Sequence, residues 1–490
     1  MRSPTRAATW WNGFRQPQAV AGCGNPVRQA RGCLPGRRDD YRRHDLAEEI
    51  VRHALGMNEA TALSIVGAYG GFVYMTTLVA SLVADRLLGS ERTLFYSAIL
   101  VMLGHVLLAV IPGFLGLALG LVFVGLGSGG VKTCAQVVLG DLYSKEDTRR
   151  DAGFSLFYLA VNIGSFFGPL VTNFLGFRYN FHIGFGAAAV GMAIGLIQYA
   201  LMRKSTIGEH GREVPNPLPR SRYLPWALVA VAITVVAVVL ITTGIVPLAS
   251  LSTVIALIAL VMVIVLLWQM FSSPLTSPKE KSRLIGYIPM LLVSVGFFAI
   301  FQSQFTVLAV YADQRLDRNF LFWELDPGQV TSFNPVFIIL FSTLFALMWS
   351  KLGPKQPSSP VKFGIGAITI GVSLFFFLPY ATSGENGTPI WVVIWILFLF
   401  TMGELMVSPV GNSLATKVAP EAFSSRTMAM WLLTLSMGTA LSGSLGSLYD
   451  PSDPSAERTF FTVVGIAAIV LGIAIIAIKG WVLRKFVDVR

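Results

Sequence analysis

The sequence predicts an all-α polytopic membrane protein with thirteen spanning helices, and three observations predict it. Of the 490 residues 54% are hydrophobic and 13% charged, with mean hydropathy +0.66, whereas a soluble globular domain carries about 25% charged residues. Charge-free runs recur at about the 20 residues needed to cross hydrocarbon. Lys and Arg collect in alternate connections between the runs, which orients a chain with its basic loops cytoplasmic. A net charge of +11 would fit nucleic acid in a soluble protein; here it fits orientation.

Residues 1–55 stand apart. They hold ten arginines, no lysine and five acidic residues, and nothing in them is long and apolar enough to span or to serve as a signal-peptide h-region. They are expected to be disordered or mis-translated. If the loop after the first span is cytoplasmic, those arginines fall on the wrong side, and one more helix ahead of residue 57 would repair the topology.

The charge-free runs then follow at 60–84, 93–111, 114–131, 152–177, 179–202, 226–243, 250–271, 286–312, 327–350, 363–380, 389–403, 427–449 and 459–478. The third continues through Lys132 to Leu139, and the eleventh through Glu404 to Thr416. Basic residues mark one side: Arg86 and Arg92, then Lys145, Arg149 and Arg150, then Arg203 to Arg222, Lys279 to Arg283, Lys351 to Lys362, Lys417 and Arg426, and the tail. The expected organisation is an N-terminal bundle at 56–205, a linker with two additional helices at 206–283, and a C-terminal bundle at 284–490. The expected location is the inner cell membrane, with the C-terminus cytoplasmic.

Lys132 and Glu404 are the two charges set deep inside spans. An ionised group at the bilayer centre costs about 2.5 to 3.5 kcal/mol on insertion scales, so such residues face a bundle interior or an aqueous cavity. A cation from one half and an anion from the other suit a ligand carrying both charges. Cys23, Cys33 and Cys134 form no paired framework, and five histidines give no HxxxH or HExxH ligand pair. Neither a metal site, a cofactor nor an enzyme's nucleophile and base pair is visible.

The loop ADRLLGSERT holds Asp85, Arg86, Gly89 and Arg92, where Asp85 and the arginines could pair across helix ends. It resembles the signature loop of the major facilitator superfamily, whose halves are parallel repeats. The matching loop, SKLGPKQPS at 350–358, keeps a glycine but lacks the aspartate. Next, GLGSGGVKTC places small residues ahead of Lys132, allowing close helix approach. In DTRRDAGFSLFYLAVNIGSFFGPL, Phe154, Tyr158 and Asn162 share one helical face.

Together with GFVYMTT, SFNPVFII, GELMVSPVG and MAMWLL, these strings resemble the bacterial proton-dependent oligopeptide transporter (POT, or PTR) family from about Gly56 to the C-terminus. The resemblance implies a major facilitator fold with fourteen helices, two of them between the bundles, so the first is missing here. It implies proton-coupled uptake of di- and tripeptides by alternating access, with the proton as coupling ion. By position it puts Lys132 at the peptide carboxylate, Glu404 at the amino terminus, Asn162 and Asn334 at the backbone, and Tyr74 and Trp431 at side-chain pockets. Packing alone would also account for Tyr74 and Trp431, and Pro335 and Pro409 could simply shape kinked helices.

Two departures qualify the resemblance. The family's first-helix ExxERFxYYG string is absent, and Gln302 stands where a proton-coupling glutamate is usual. Two other readings stay open: a superfamily transporter for another solute, such as an amino acid derivative or nitrate, and a non-transporting remnant.

Overall fold

The computed structural model describes residues 59–142, 149–214 and 217–487, so the expectations for residues 1–55 lie outside it. Thirteen helices among the described residues are long and apolar enough to cross a membrane, from Ala60–Leu88 to Pro454–Ala477. In chain order they begin with α1 (Glu59–Val83), α2 (Ser90–Val110), α3 (Gly113–Asp141), α4 (Arg149–Arg178) and α5 (Phe181–Thr206). Then come α6 (Tyr223–Thr242) and α7 (Leu251–Ser272). The second half runs α8 (Pro278–Phe301), a short α9 (Val307–Gln314), α10 (Phe333–Leu352) and α11 (Ser359–Leu374). It ends with α12 (Ile390–Val418), α13 (Ser424–Gly446), α14 (Pro454–Ala477) and α15 (Lys479–Phe486).

Small residues set how closely these helices meet, because in lipid the attraction between helices is packing rather than water exclusion. On α3, a Cβ at Gly127 would lie 2.5 Å from the Ser97 carbonyl oxygen of α2, and one at Gly129 would lie 2.6 Å from the Thr76 backbone of α1. The Thr76 hydroxyl donates to the Gly125 carbonyl at 2.8 Å. The run ahead of Lys132 thus wedges α3 between α1 and α2.

The two halves join along two seams. Where α1 meets α13, a Cβ at Gly67 would fall 2.5 Å from Gly443 Cα, and the Ser436 hydroxyl donates to the Gly71 carbonyl at 2.7 Å. A hydroxyl chain, Ser64 to Ser252 at 3.1 Å and Ser252 to Ser444 at 2.9 Å, fastens α7 into this seam. None of the residues of α6 is buried, so of the two inter-bundle helices only α7 belongs to the packed body. The second seam joins α4 to the turn before α10: the Gln329 amide donates to the Leu170 carbonyl at 3.0 Å. Both seams lie toward the face opposite the basic loops.

Three local features differ from the sequence reading. The run at 286–312 is one span but not one helix: α8 stops at Phe301, Gln302–Phe305 forms a 3-10 turn, and α9 starts at Val307. The polar triplet Gln302-Ser303-Gln304 is where regular helix fails, and within it the Ser303 hydroxyl donates to the Ile300 carbonyl. Pro335 sits in the first turn of α10, just after the 3-10 turn Pro327–Ser332, where a missing donor is tolerated and no kink results. Pro169 and Pro409 do lie inside helices. Finally, the first span ends in a π-helical turn, Ala84–Leu88, closed by Gly89 at φ 79°, a conformation that disfavours any side chain. Gly353 in the matching loop also has positive φ, 47°.

A short hairpin caps the face opposite the basic loops. Strands β2 (Asn319–Phe320) and β3 (Trp323–Glu324) pair antiparallel, while β1 (Leu316–Asp317) pairs parallel with β4 (Thr388–Pro389). Beneath it, Arg315 and Glu457 form a 3.0 Å ion pair with side chains 10% and 0% exposed.

Candidate functional site

Lys132 shares a face of α3 with Gly125 and Gly129. Cβ bonds tilt toward the helix N-terminus, and Lys132 Nζ lies 4.2 Å from the centroid of the half-buried Tyr74 ring on α1. A cation over an aromatic face is held by the ring quadrupole, and the ammonium keeps its three donors for another partner. Lys132 is exposed, on the basic side of both seams.

Glu404 lies midway along α12, in the other half. Asn334 at the start of α10 is 7% exposed; its amide donates to the Thr401 hydroxyl at 2.9 Å and lies beside the Glu404 carboxyl. Glu404 Oε2 is shielded from solvent and accepts no hydrogen bond. Among the described residues no ion pair joins Lys132 to Glu404, so opposite charges from the two halves stand apart, each on a supporting polar or aromatic side chain. Across the gap, Tyr158 on α4 lies within electrostatic reach of Glu404. Asn162, one turn on and 6% exposed, donates its amide to the Tyr158 carbonyl at 2.9 Å.

The expected residues thus fall into two groups, Tyr74 with Lys132 in the N-terminal half and Asn334 with Glu404 in the C-terminal half, the latter within electrostatic reach of Tyr158, with Asn162 on the same face of α4 as Tyr158. Trp431 does not join them. It is 1% exposed, with its ring 5.7 Å from Phe298 and 6.1 Å from Phe363, and it fills the space that Gly411 leaves. In this conformation Trp431 packs in the core of the C-terminal half.

Gln302 is 9% exposed, and its amide donates to the Thr439 hydroxyl of α13 at 2.9 Å. Thr439 in turn packs its methyl against Gly70 of α1, so Gln302 braces the first seam.

In the signature loop Asp85, Arg86 and Arg92 are exposed and Gly89 is buried. The pairing expected of Asp85 falls instead on Glu91, 1% exposed, which meets Arg203 at 3.3 Å and Arg212 at 3.6 Å. Sequence reasoning missed Glu91, Arg315 and Glu457; an acidic residue within a basic loop was the available signal for the first. Lys362, counted among loop charges, is 7% exposed and donates to Gln356 at 2.7 Å.

Known proteins resemble the chain along most of its length. The family model described as the POT family matches residues 91–461. An uncharacterized transporter, YclF, of Bacillus subtilis (strain 168) is 39% identical over 429 residues, 87% of this chain and 86% of the relative. A di-/tripeptide transporter of Lactococcus lactis subsp. cremoris is 37% identical over 452 residues, 89% of each chain. A crystal structure of a peptide transporter POT in complex with sulfate superposes with TM-score 0.84 at 37% identity, covering 91% of this chain and 92% of that one.

Proposed function

This chain belongs to the POT family, and we propose that it imports di- and tripeptides by alternating access, coupled to protons. The observation that carries the reading is the pair of opposite charges, Lys132 on Tyr74 and Glu404 beside Asn334, held apart on the two halves. A peptide zwitterion bridges such a pair, its carboxylate on Lys132 and its ammonium on Glu404, while Asn162 and Asn334 hold backbone groups. An extended chain lengthens by about 3.3 to 3.6 Å per residue, so a fixed charge separation favours short peptides over long ones.

The seams far from the basic loops close one face, and the site lies on their basic side. This supports a resting conformation open toward the basic face, taken as cytoplasmic. The multi-pass membrane placement follows from the thirteen spans, and the inner membrane with a cytoplasmic C-terminus completes the proposal. The test is uptake of labelled dialanine by proteoliposomes holding the purified chain under an inward proton gradient. Excess unlabelled di- and tripeptides should abolish it and free alanine should not. Equal competition by alanine, or by nitrate, would transfer the site to another solute.

A further inference from the structure

Glu91 carries a role beyond the substrate site. It sits in the first turn of α2, and its carboxylate, 1% exposed, is met by guanidinium groups that come 112 and 121 positions later, Arg203 at the end of α5 and Arg212 in the following segment. The Tyr199 hydroxyl reaches Glu91 Oε1 at 3.4 Å. Arg203 also lies over the Phe95 ring at 4.3 Å, and Phe95 stacks on Tyr199 at 6.2 Å. Backbone contacts run parallel to these charges: the Glu91 amide donates to the Gly211 carbonyl at 2.9 Å, and the Leu218 amide to the Arg86 carbonyl at 2.9 Å. A Cβ on Gly89 would stand 2.6 Å from the Arg212 carbonyl oxygen, so the two chains touch along their backbones.

A carboxylate this shielded is strongly unfavourable without partners, and these partners come from outside its own helix hairpin. We propose that Glu91 is a positioning residue that straps the segment after α5 beneath the signature loop, so that α2, α5 and the segment leading to the inter-bundle helices move as one unit when the halves rock. The hydrogen-bonded contacts tie the loop expected to latch alternating access to the chain that enters α6 and α7. The inference rests on the transport reading above for its consequence, though not for the fastening itself.

The experiment compares the full purified chain with E91Q, which keeps the side-chain volume and removes the charge, and with E91D, which keeps the charge. In E91Q, hydrogen exchange of peptides covering 207–214 should quicken at least tenfold, dialanine affinity should stay within twofold, and maximal uptake in proteoliposomes should fall at least fivefold. E91D should recover half or more of the uptake. Unchanged exchange overturns the strap, and faster exchange with unchanged uptake overturns its positioning role. A loss of affinity in step with uptake reduces Glu91 to general stability and overturns it too. If the unmutated chain takes up no dialanine, the transport reading fails by itself, and the exchange measurement still decides whether Glu91 fastens the segment.

Discussion

A Gln302 amide donates to Thr439 at any pH, whereas a carboxyl group in its place would donate only while protonated. The Thr439 hydroxyl already gives its own proton to the Leu435 carbonyl at 2.7 Å, so an ionised neighbour would lose this contact at the seam between α1 and α13. Gln302→Glu is therefore expected to make uptake depend more steeply on external pH, rising as pH falls, with a limit of about tenfold per unit for one proton. Uptake rates between pH 5.5 and 8 check this, and an unchanged profile counts against a gating role for the position. Trp431→Ala, by contrast, should cost about 3 to 5 kcal/mol of stability, as for other buried aromatic truncations. It should lower the melting temperature while leaving dialanine affinity within a few-fold. At this scale the sequence was legible where a charge sat among apolar neighbours, as at Lys132 and Glu404. It was not legible at Glu91 or Glu457, whose partners Arg203 and Arg315 lie over 100 positions away and are placed only by the packing of α5 and α9.

Among the elements, the hairpin β2–β3 ties the halves together on the face opposite the basic loops. Phe320 anchors it to the C-terminal half, 5.3 Å from Phe333 and 5.2 Å from Trp391, while Trp323 meets Phe174 of α4 edge-on at 6.2 Å. Such an aromatic pair contributes about 0.5 to 1.5 kcal/mol beyond its area, enough to bias the closed face several-fold. Ser332, 3% exposed beneath this closure, carries a hydroxyl without a partner and accepts cysteine in its place. In detergent, Ser332→Cys should react with a bulky maleimide about fivefold faster when Trp323→Ala or Phe174→Ala is added. Phe322→Ala at the hairpin tip, 95% exposed, should leave the rate unchanged, and equal rates in all variants would remove the hairpin from the closure. The spans themselves were readable from charge-free length. The break at Gln302–Phe305 was not, since neither Pro nor Gly marks it and the run stays uncharged from Gly286 to Ala312.

For the whole molecule, two bundles packed through small residues carry a cation, Lys132, in one half and an anion, Glu404, in the other, with no ion pair between them among the described residues. Charges of opposite sign held apart in a membrane protein are costly unless a ligand, water or movement of the halves completes them. Sequence reasoning singled out both residues because each charge interrupts an otherwise apolar span. It could not tell that Trp431 turns into the C-terminal core, because a Trp flanked by apolar residues reads alike in a pocket or a core. The central claim is that Lys132 holds the peptide carboxylate and Glu404 the peptide ammonium. Its most direct test is the equilibrium affinity of dialanine, N-acetyl-dialanine and dialanine amide for the chain, for Lys132→Ala and for Glu404→Gln. Amidation should weaken binding about tenfold or more in the unmutated chain and hardly at all in Lys132→Ala, and acetylation should do the same through Glu404→Gln. If amidation and acetylation weaken both variants as much as they weaken the unmutated chain, neither charge grips a peptide end and the account is wrong.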